Sequence, residues 1–247
     1  MAQFVETQGQ LSGSAYAARR DEIEAYFDRK AAKTWEDLTS DAPVSGIRAT
    51  VRAGRDQMRA MLLSWLPTDL TGLRILDAGC GTGALATEAA ARGADVVAVD
   101  LSPTLIDVAK TRAPEELPGT VEWYAGDMLS ATDGQFDHIV AMDSVIHYES
   151  NDKITALASL AERATGSVLF TFPPSNPALA AMHQVGKFFP RSNRAPAIVP
   201  IGVAKMRSLI AQSAGLSDFA IERTERVVSG FYTSQAMKIS RRSGAAG

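Results

Sequence analysis

The chain has 247 residues and a formal net charge of −3, with 46% of its residues hydrophobic and 21% charged. That length suits one large α/β domain, or one domain with appended helices, and it suffices to bury a substantial core. A nearly balanced charge gives no electrostatic reason to expect a nucleic-acid partner. The lone cysteine excludes an internal disulfide, and no run approaches the ~18–20 apolar residues that a bilayer-crossing helix needs.

Residues 1–13 and the glycine- and alanine-rich end at 242–247 read as disordered tails, and no secretory signal is apparent at the N-terminus. Together with the single cysteine, this leads to the expectation of a cytoplasmic protein. Two helical stretches come next, forming an N-terminal arm or lid over residues 14–66. Ser14 to Leu38 carries Ile23, Tyr26, Phe27, Trp35 and Leu38, and Ile47 to Leu66 shows apolar residues at helical spacing until Pro67 stops it.

From residue 67 to 241, strand and helix signals alternate, which predicts a mostly parallel sheet. The candidate strands are Arg74–Ala78, Asp95–Asp100, Val121–Ala125, Phe136–Met142 and Val168–Phe172, with helices starting near Ala84, Pro103 and Asp152. Two further candidates, Phe219–Val228 and Tyr232–Ser240, are joined by Ser229-Gly230-Phe231 and suit an antiparallel pair. Between them and the fifth strand lies a proline-rich insertion, residues 173–204, with a short apolar helix expected around Ala178–Phe189. Insertions of that length in compact domains are usually lids or binding loops, so it is a candidate substrate cover.

The chemistry centres on Asp77-Ala78-Gly79-Cys80-Gly81-Thr82-Gly83, at the end of the first strand. Closely spaced glycines allow a tight turn and close approach of a ligand, and the following helix aims unpaired N–H groups at it. Gly79, Gly81 and Ala84 also satisfy the dinucleotide fingerprint, which keeps an NAD reading open. Asp77 argues the other way, because a carboxylate beside the turn serves an ammonium better than a diphosphate. Cys80 reads as a small residue fitting the turn rather than as a reactive thiol.

Asp100 follows Asp77 by 23 residues and ends the second strand, where it would accept from a ribose diol, with Leu101 against the adenine face. Asp127, after Gly126, would accept from an adenine amino group, with Met128 as an apolar neighbour; a dehydrogenase has no need of this second acid. Met142-Asp143-Ser144-Val145-Ile146-His147-Tyr148 leaves the fourth strand at the edge where open α/β sheets bind ligands. His147 is one of three histidines and falls at that same edge, where an acceptor substrate would lie.

The stretch from Asp77 to Gly83 resembles the first motif of class I S-adenosylmethionine-dependent methyltransferases. Asp143–Tyr148, Trp65, Phe170-Thr171-Phe172-Pro173-Pro174, Gly186-Lys187-Phe188-Phe189-Pro190 and Tyr26-Phe27 narrow this, being similar to the magnesium protoporphyrin IX O-methyltransferase family. The resemblance covers about Tyr26 to Lys238. It implies a Rossmann-like fold, with a seven-stranded, mostly parallel sheet that ends in a reversed hairpin and has helices on both faces. S-adenosyl-L-methionine would bind at Asp77, Gly79, Cys80, Gly81, Gly83, Asp100, Leu101, Asp127, Met128, Met142 and Asp143.

The implied reaction is methylation of one propionate of a magnesium porphyrin in (bacterio)chlorophyll synthesis. Trp35 is followed by Glu36-Asp37-Leu38-Thr39, so no catalytic tyrosine carries over to Thr39, and Tyr26 is the candidate instead. A propionate with a pKa near ~4.3 is ionised at neutral pH, so His147 is expected to orient the acceptor rather than deprotonate it.

Other small acceptors, such as a quinone or polyketide hydroxyl, would give His147 a base role. A non-catalytic porphyrin escort is the reading from another class. The porphyrin-binding subunit of magnesium chelatase and a peripheral site at the photosynthetic membrane are the implied partners.

Arg48, Arg52, Arg55 and Arg59 share one helical face. They form a solvated stripe, or else part of that stripe, or Lys187, Arg191 and Arg194, receives the second propionate or an anionic membrane surface. No residues stand at metal-ligand spacing, so magnesium is expected to arrive within the substrate; His183 is a remote candidate for its axial ligand. His138 reads as structural.

Overall fold

The computed structural model describes residues 17–26, 28, 46–130, 132–175 and 197–242. Helix α1 covers residues 17–26 and α2 is Gly46–Ser64. Then follow β1 (Arg74–Ala78), α3 (Ala84–Ala91), β2 (Asp95–Asp100), α4 (Pro103–Arg112), β3 (Thr120–Ala125) and β4 (Phe136–Ala141). A 3₁₀ turn at Val145–His147 leads to α5 (Ser150–Glu162), β5 (Ala164–Phe172), α6 (Val203–Gln212), β6 (Phe219–Ser229) and β7 (Tyr232–Arg241).

The seven strands form one sheet in the order β3-β2-β1-β4-β5-β7-β6. Strands β1 to β5 pair in parallel, and β7 runs antiparallel to both β5 and β6. Alternation along each strand divides the apolar side chains between two layers. Leu76, Val97, Val99, Ile139, Val168 and Phe170 pack in one, whereas Ile75, Val96, Ala98, Val140 and Leu169 join Met58, Leu62, Ala86 and Ala90 of α2 and α3 in the other. Asp77 falls between these registers on the α3 side, so the first acid of the motif is directed beneath the turn.

The first two strands, β1 and β2, occupy the predicted residues. Strand β5 starts four residues earlier than the apolar run suggests, at Ala164, because Ala164 still pairs with Phe136 of β4 beyond a register shift, and the polar stretch Thr165-Gly166-Ser167 that spans the shift adds no hydrophobic signal. Helix α2 ends at Ser64, leaving Trp65 and Leu66 buried in the turn after it. Helix α6 has no counterpart among the predicted elements. Trp35, Leu38, the expected helix at 178–189, His183, Lys187, Arg191 and Arg194 lie outside the described residues.

Strand order reverses between β1 and β4, since the chain runs outward from β1 to β3 and then returns. Loops leaving the carboxyl ends of these strands therefore diverge and open a crevice.

Candidate functional site

The crevice is a cleft of about 680 Å³, its open mouth included. Its lining includes Gly79 and Gly81 after β1, Asp100 and Leu101 after β2, Asp127 and Met128 after β3, and Met142, Asp143, Ser144 and His147 after β4. Four separate loops thus bring together most of the residues singled out in the sequence. Asp77, Cys80, Gly83 and Tyr26 are not part of that lining.

The glycine turn is held from below. The Gly79 and Cys80 N–H groups both donate to the Val99 carbonyl, at 2.8 and 2.9 Å. Gly79 adopts φ 85°, and a Cβ there would come within 2.3 Å of the Ser144 Cβ. Glycine is required here by both the backbone and the close approach of the β4 loop. Gly83 (φ 80°) meets the Trp123 ring in the same way at 2.4 Å, so its role is to let α3 pack against β3.

Asp77 is 2% exposed and accepts from the Ala86 N–H at 3.1 Å. Burial pushes its carboxyl up to about 7; the Ala86 bond works against this and the charge of Asp100 adds to it. Burial also pushes the Cys80 thiol up, which keeps it protonated and fits the unreactive reading of that residue.

Asp100 accepts from the Gly81 N–H at 2.8 Å through one oxygen and from the Ser102 N–H at 3.0 Å through the other. Burial raises its pKa against these two bonds. Each oxygen keeps a further acceptor position, and a buried carboxylate gains most from additional donors such as ribose hydroxyls. The cap of α4 is supplied by Ser102, whose hydroxyl accepts from the Leu105 N–H.

Asp127 accepts from the Leu129 N–H at 2.9 Å and pairs with Arg20 of α1 at 3.6 Å. Helix α1 closes one side of the cleft, with Ile23 in its wall and only 7% exposed. Asp28, just beyond it, accepts from the Thr104 hydroxyl at 2.8 Å.

Asp143 is the one described non-glycine residue with positive φ, at 55°. Its carboxylate receives Arg55 of α2 at 2.6 Å, the Thr171 hydroxyl of β5 at 3.0 Å and the Tyr232 hydroxyl of β7 at 3.3 Å. Burial, then the Asp143 charge, holds the Tyr232 pKa far above its ordinary value, so Tyr232 remains a donor. These bonds join four elements at the cleft floor and over-determine a strained backbone position. Beside it, the Ser144 hydroxyl is buried without a hydrogen-bond partner, a polar group that a bound ligand would satisfy.

The arginine face of α2 is divided. Arg55 turns into the cleft, while Arg59 pairs with Asp56 at 2.8 Å and Glu88 at 3.3 Å. Thr171 and Tyr232 were missed as site residues. Neither lies near a glycine motif, and only the sheet's strand order brings them to Asp143. His138 is bound to Ser167 at 2.8 Å, in keeping with a structural role.

Among the described residues no group of three His, Cys, Asp or Glu side chains could hold a metal ion. No helix there is long and apolar enough to cross a membrane.

A doubly wound sheet with a reversed final hairpin, a glycine turn at the strand-order reversal and acids after β2 and β3 define an S-adenosylmethionine-dependent methyltransferase. Residues 75–165 match a general methyltransferase domain family, and residues 141–241 match the family described as magnesium-protoporphyrin IX methyltransferase C-terminus. Magnesium-protoporphyrin O-methyltransferase of Rhodobacter capsulatus is 49% identical over 226 residues, 91% of this chain and 98% of the relative. Its counterpart in Synechocystis is 27% identical over 222 residues, 89% of this chain and 95% of the relative.

The crystal structure of magnesium protoporphyrin IX methyltransferase from Synechocystis with bound SAH superposes with a TM-score of 0.78 at 25% identity. That superposition covers 89% of this chain and 98% of the solved one. The chain belongs to the magnesium-protoporphyrin O-methyltransferase family.

Proposed function

We infer that this chain transfers a methyl group from S-adenosyl-L-methionine to a propionate carboxylate of magnesium protoporphyrin IX, giving the monomethyl ester of (bacterio)chlorophyll synthesis. The observation that carries the acceptor is the 49% identity with the Rhodobacter capsulatus enzyme across 91% of the chain. Bound in the cleft, S-adenosyl-L-methionine supplies an electrophilic methyl group on a sulfonium centre.

The residues present fit this cofactor. Asp100 offers its unused acceptor positions to the ribose, Leu101 and Met128 give apolar walls, and Asp127 stands at the far end for the adenine amino group. Gly79, Gly81, Ser144 and the Arg55–Asp143 pair surround the methionine end.

An ionised carboxylate acceptor needs no strong base. The protein's task is to strip water from the acceptor and align it, which can supply several kcal/mol of the barrier. His147 is buried in the cleft wall, and its Nδ1 lies 3.4 Å from the Ala197 carbonyl. With Nδ1–H donating to that carbonyl, Nε2 donates to an acceptor carboxylate only in the imidazolium form. A phenolic acceptor would instead have to lose its proton to that nitrogen. Tyr26, on α1 beside the cleft, is the second candidate for contact with the acceptor.

The test is turnover with labelled S-adenosylmethionine and magnesium protoporphyrin, comparing wild type with His147→Ala. Ester formation by wild type, with kcat lowered on the order of 10²-fold in the variant and unchanged cofactor affinity, is the expected result. Labelling of a quinol but not of the porphyrin would overturn the acceptor assignment, and porphyrin binding without transfer would make the chain an escort. A cytoplasmic site, peripheral contact with the photosynthetic membrane and docking to the porphyrin-binding subunit of magnesium chelatase belong to this same reading. Co-sedimentation with anionic vesicles and with that subunit tests the two contacts.

A further inference from the structure

Lys153, in the first turns of α5, is fully buried, which is uncommon for a lysine and costs free energy unless the ammonium is well bonded. Its Nζ donates to the Tyr148 carbonyl at 2.6 Å and to the Val199 carbonyl at 2.7 Å. These acceptors belong to segments far apart in sequence. Tyr148 ends the 3₁₀ turn that carries His147, and Val199 lies in the stretch that returns from the proline-rich insertion.

Two more interactions join the same segments. The Val199 N–H donates to the Ile146 carbonyl at 2.9 Å, and the His147 Nδ1 faces the Ala197 carbonyl. Further along, the Ile201 N–H donates to the Pro173 carbonyl at 3.0 Å and the Ser175 N–H to the Ile201 carbonyl at 3.1 Å, so the two ends of the insertion meet. The imidazole is thus held by a carbonyl whose own position depends on the chain around Val199.

We propose that Lys153 is a positioning residue for the methyl transfer: by clamping Tyr148 and Val199 together it fixes the Ala197 carbonyl and, through it, the orientation of the His147 ring. This rests on the reading of His147 as the residue that orients the acceptor. Lys153 itself does not line the cleft. Burial pushes its ammonium down to about 8, against the pull of Glu149, so it is still mainly charged at neutral pH, where charge-assisted bonds to carbonyls are strongest.

The experiment is a double-mutant cycle on the full chain, with Lys153→Met, His147→Ala and the double variant assayed for porphyrin methylation. Cofactor affinity and thermal unfolding are measured on each. Lys153→Met should lower kcat on the order of 10- to 100-fold, the scale of a misplaced catalytic group, with cofactor affinity within about twofold of wild type. The double variant should be no slower than His147→Ala alone, because the lysine acts through the histidine.

A normal rate in Lys153→Met beside a slow His147→Ala overturns the inference alone, as does a double variant whose losses multiply. A normal rate in His147→Ala overturns both the reading of that histidine and the inference built on it. If Lys153→Met does not fold, Val199→Pro removes the N–H bond to Ile146 at a partly exposed position and enters the same cycle. A wild-type rate there overturns the inference, and a loss absorbed by His147→Ala supports it.

Discussion

At the residue scale, the buried Asp77 and the half-buried Asp100 depart from ordinary carboxylates for the same reason, loss of water around the charge. Asp77 titrates near 7 in the folded protein, against ~3.9 in an unfolded chain. The folded state therefore holds a proton that the unfolded state has lost across that window. Stability contributed by the protonated form is complete below the unfolded value and declines as pH rises toward 7, with a limiting slope of about 1.4 kcal/mol per pH unit.

Asp77→Asn should flatten that part of the stability–pH curve in denaturant titrations. An unaltered curve would show that other groups dominate it. If Asp77 answers the ammonium of the methyl donor, binding should release a proton below pH 7, seen in calorimetry as a heat that varies with buffer ionisation. In Asp77→Asn that dependence should vanish and affinity should fall.

At the scale of elements, α1 meets the cleft through Ile23 and Arg20. Ile23 buries its side chain there, worth about 1.5–3 kcal/mol, while the Arg20–Asp127 pair at 3.6 Å adds at most about 1 kcal/mol as a partly exposed contact. Ile23→Ala should loosen the helix without unfolding the sheet. Hydrogen exchange in residues 17–26 should accelerate and cofactor affinity should drop severalfold, with little change in the main unfolding transition. Exchange and affinity both equal to wild type would mean that α1 does not close the site.

At the scale of the whole molecule, the site depends on how closely α2 lies on the far end of the sheet. A Cβ at Gly54 would come within 2.5 Å of the Tyr232 ring, so only glycine allows the approach that brings both Arg55 and Tyr232 to Asp143. Gly54→Val should force the helix outward at an overpacking cost of about 1–3 kcal/mol, which would lower the melting temperature by several degrees. It should weaken cofactor binding as well, because the Arg55–Asp143 bond is lost. A stable variant with full affinity would show that the Asp143 network is not needed to shape the cleft.

The strands and most of the cofactor wall were legible in the chain. Apolar runs bounded by turn residues mark β1 to β4 and the β6–β7 hairpin, and the ends of the first four strands place Gly79, Asp100, Asp127 and Asp143 at one edge of a parallel sheet. Local pattern suffices for this, because strand alternation and glycine turns are properties of neighbouring residues. It could not reveal that Asp77 accepts from the Ala86 N–H of α3, that Gly83 makes room for Trp123, or that the arginine face of α2 is divided between Asp143 and Glu88.

Nor did any motif announce Thr171, Tyr232 or Lys153. Their partners lie 28, 89 and 46 residues away, and only the strand order, which interposes β4 and β5 between β1 and β7, makes them neighbours. The sequence by itself determined a methyl-donor cleft at the carboxyl edge of a doubly wound sheet. The tertiary structure alone decided which side chains floor it and which hold His147 in place, because burial and long-range pairing exist only once the layers have packed.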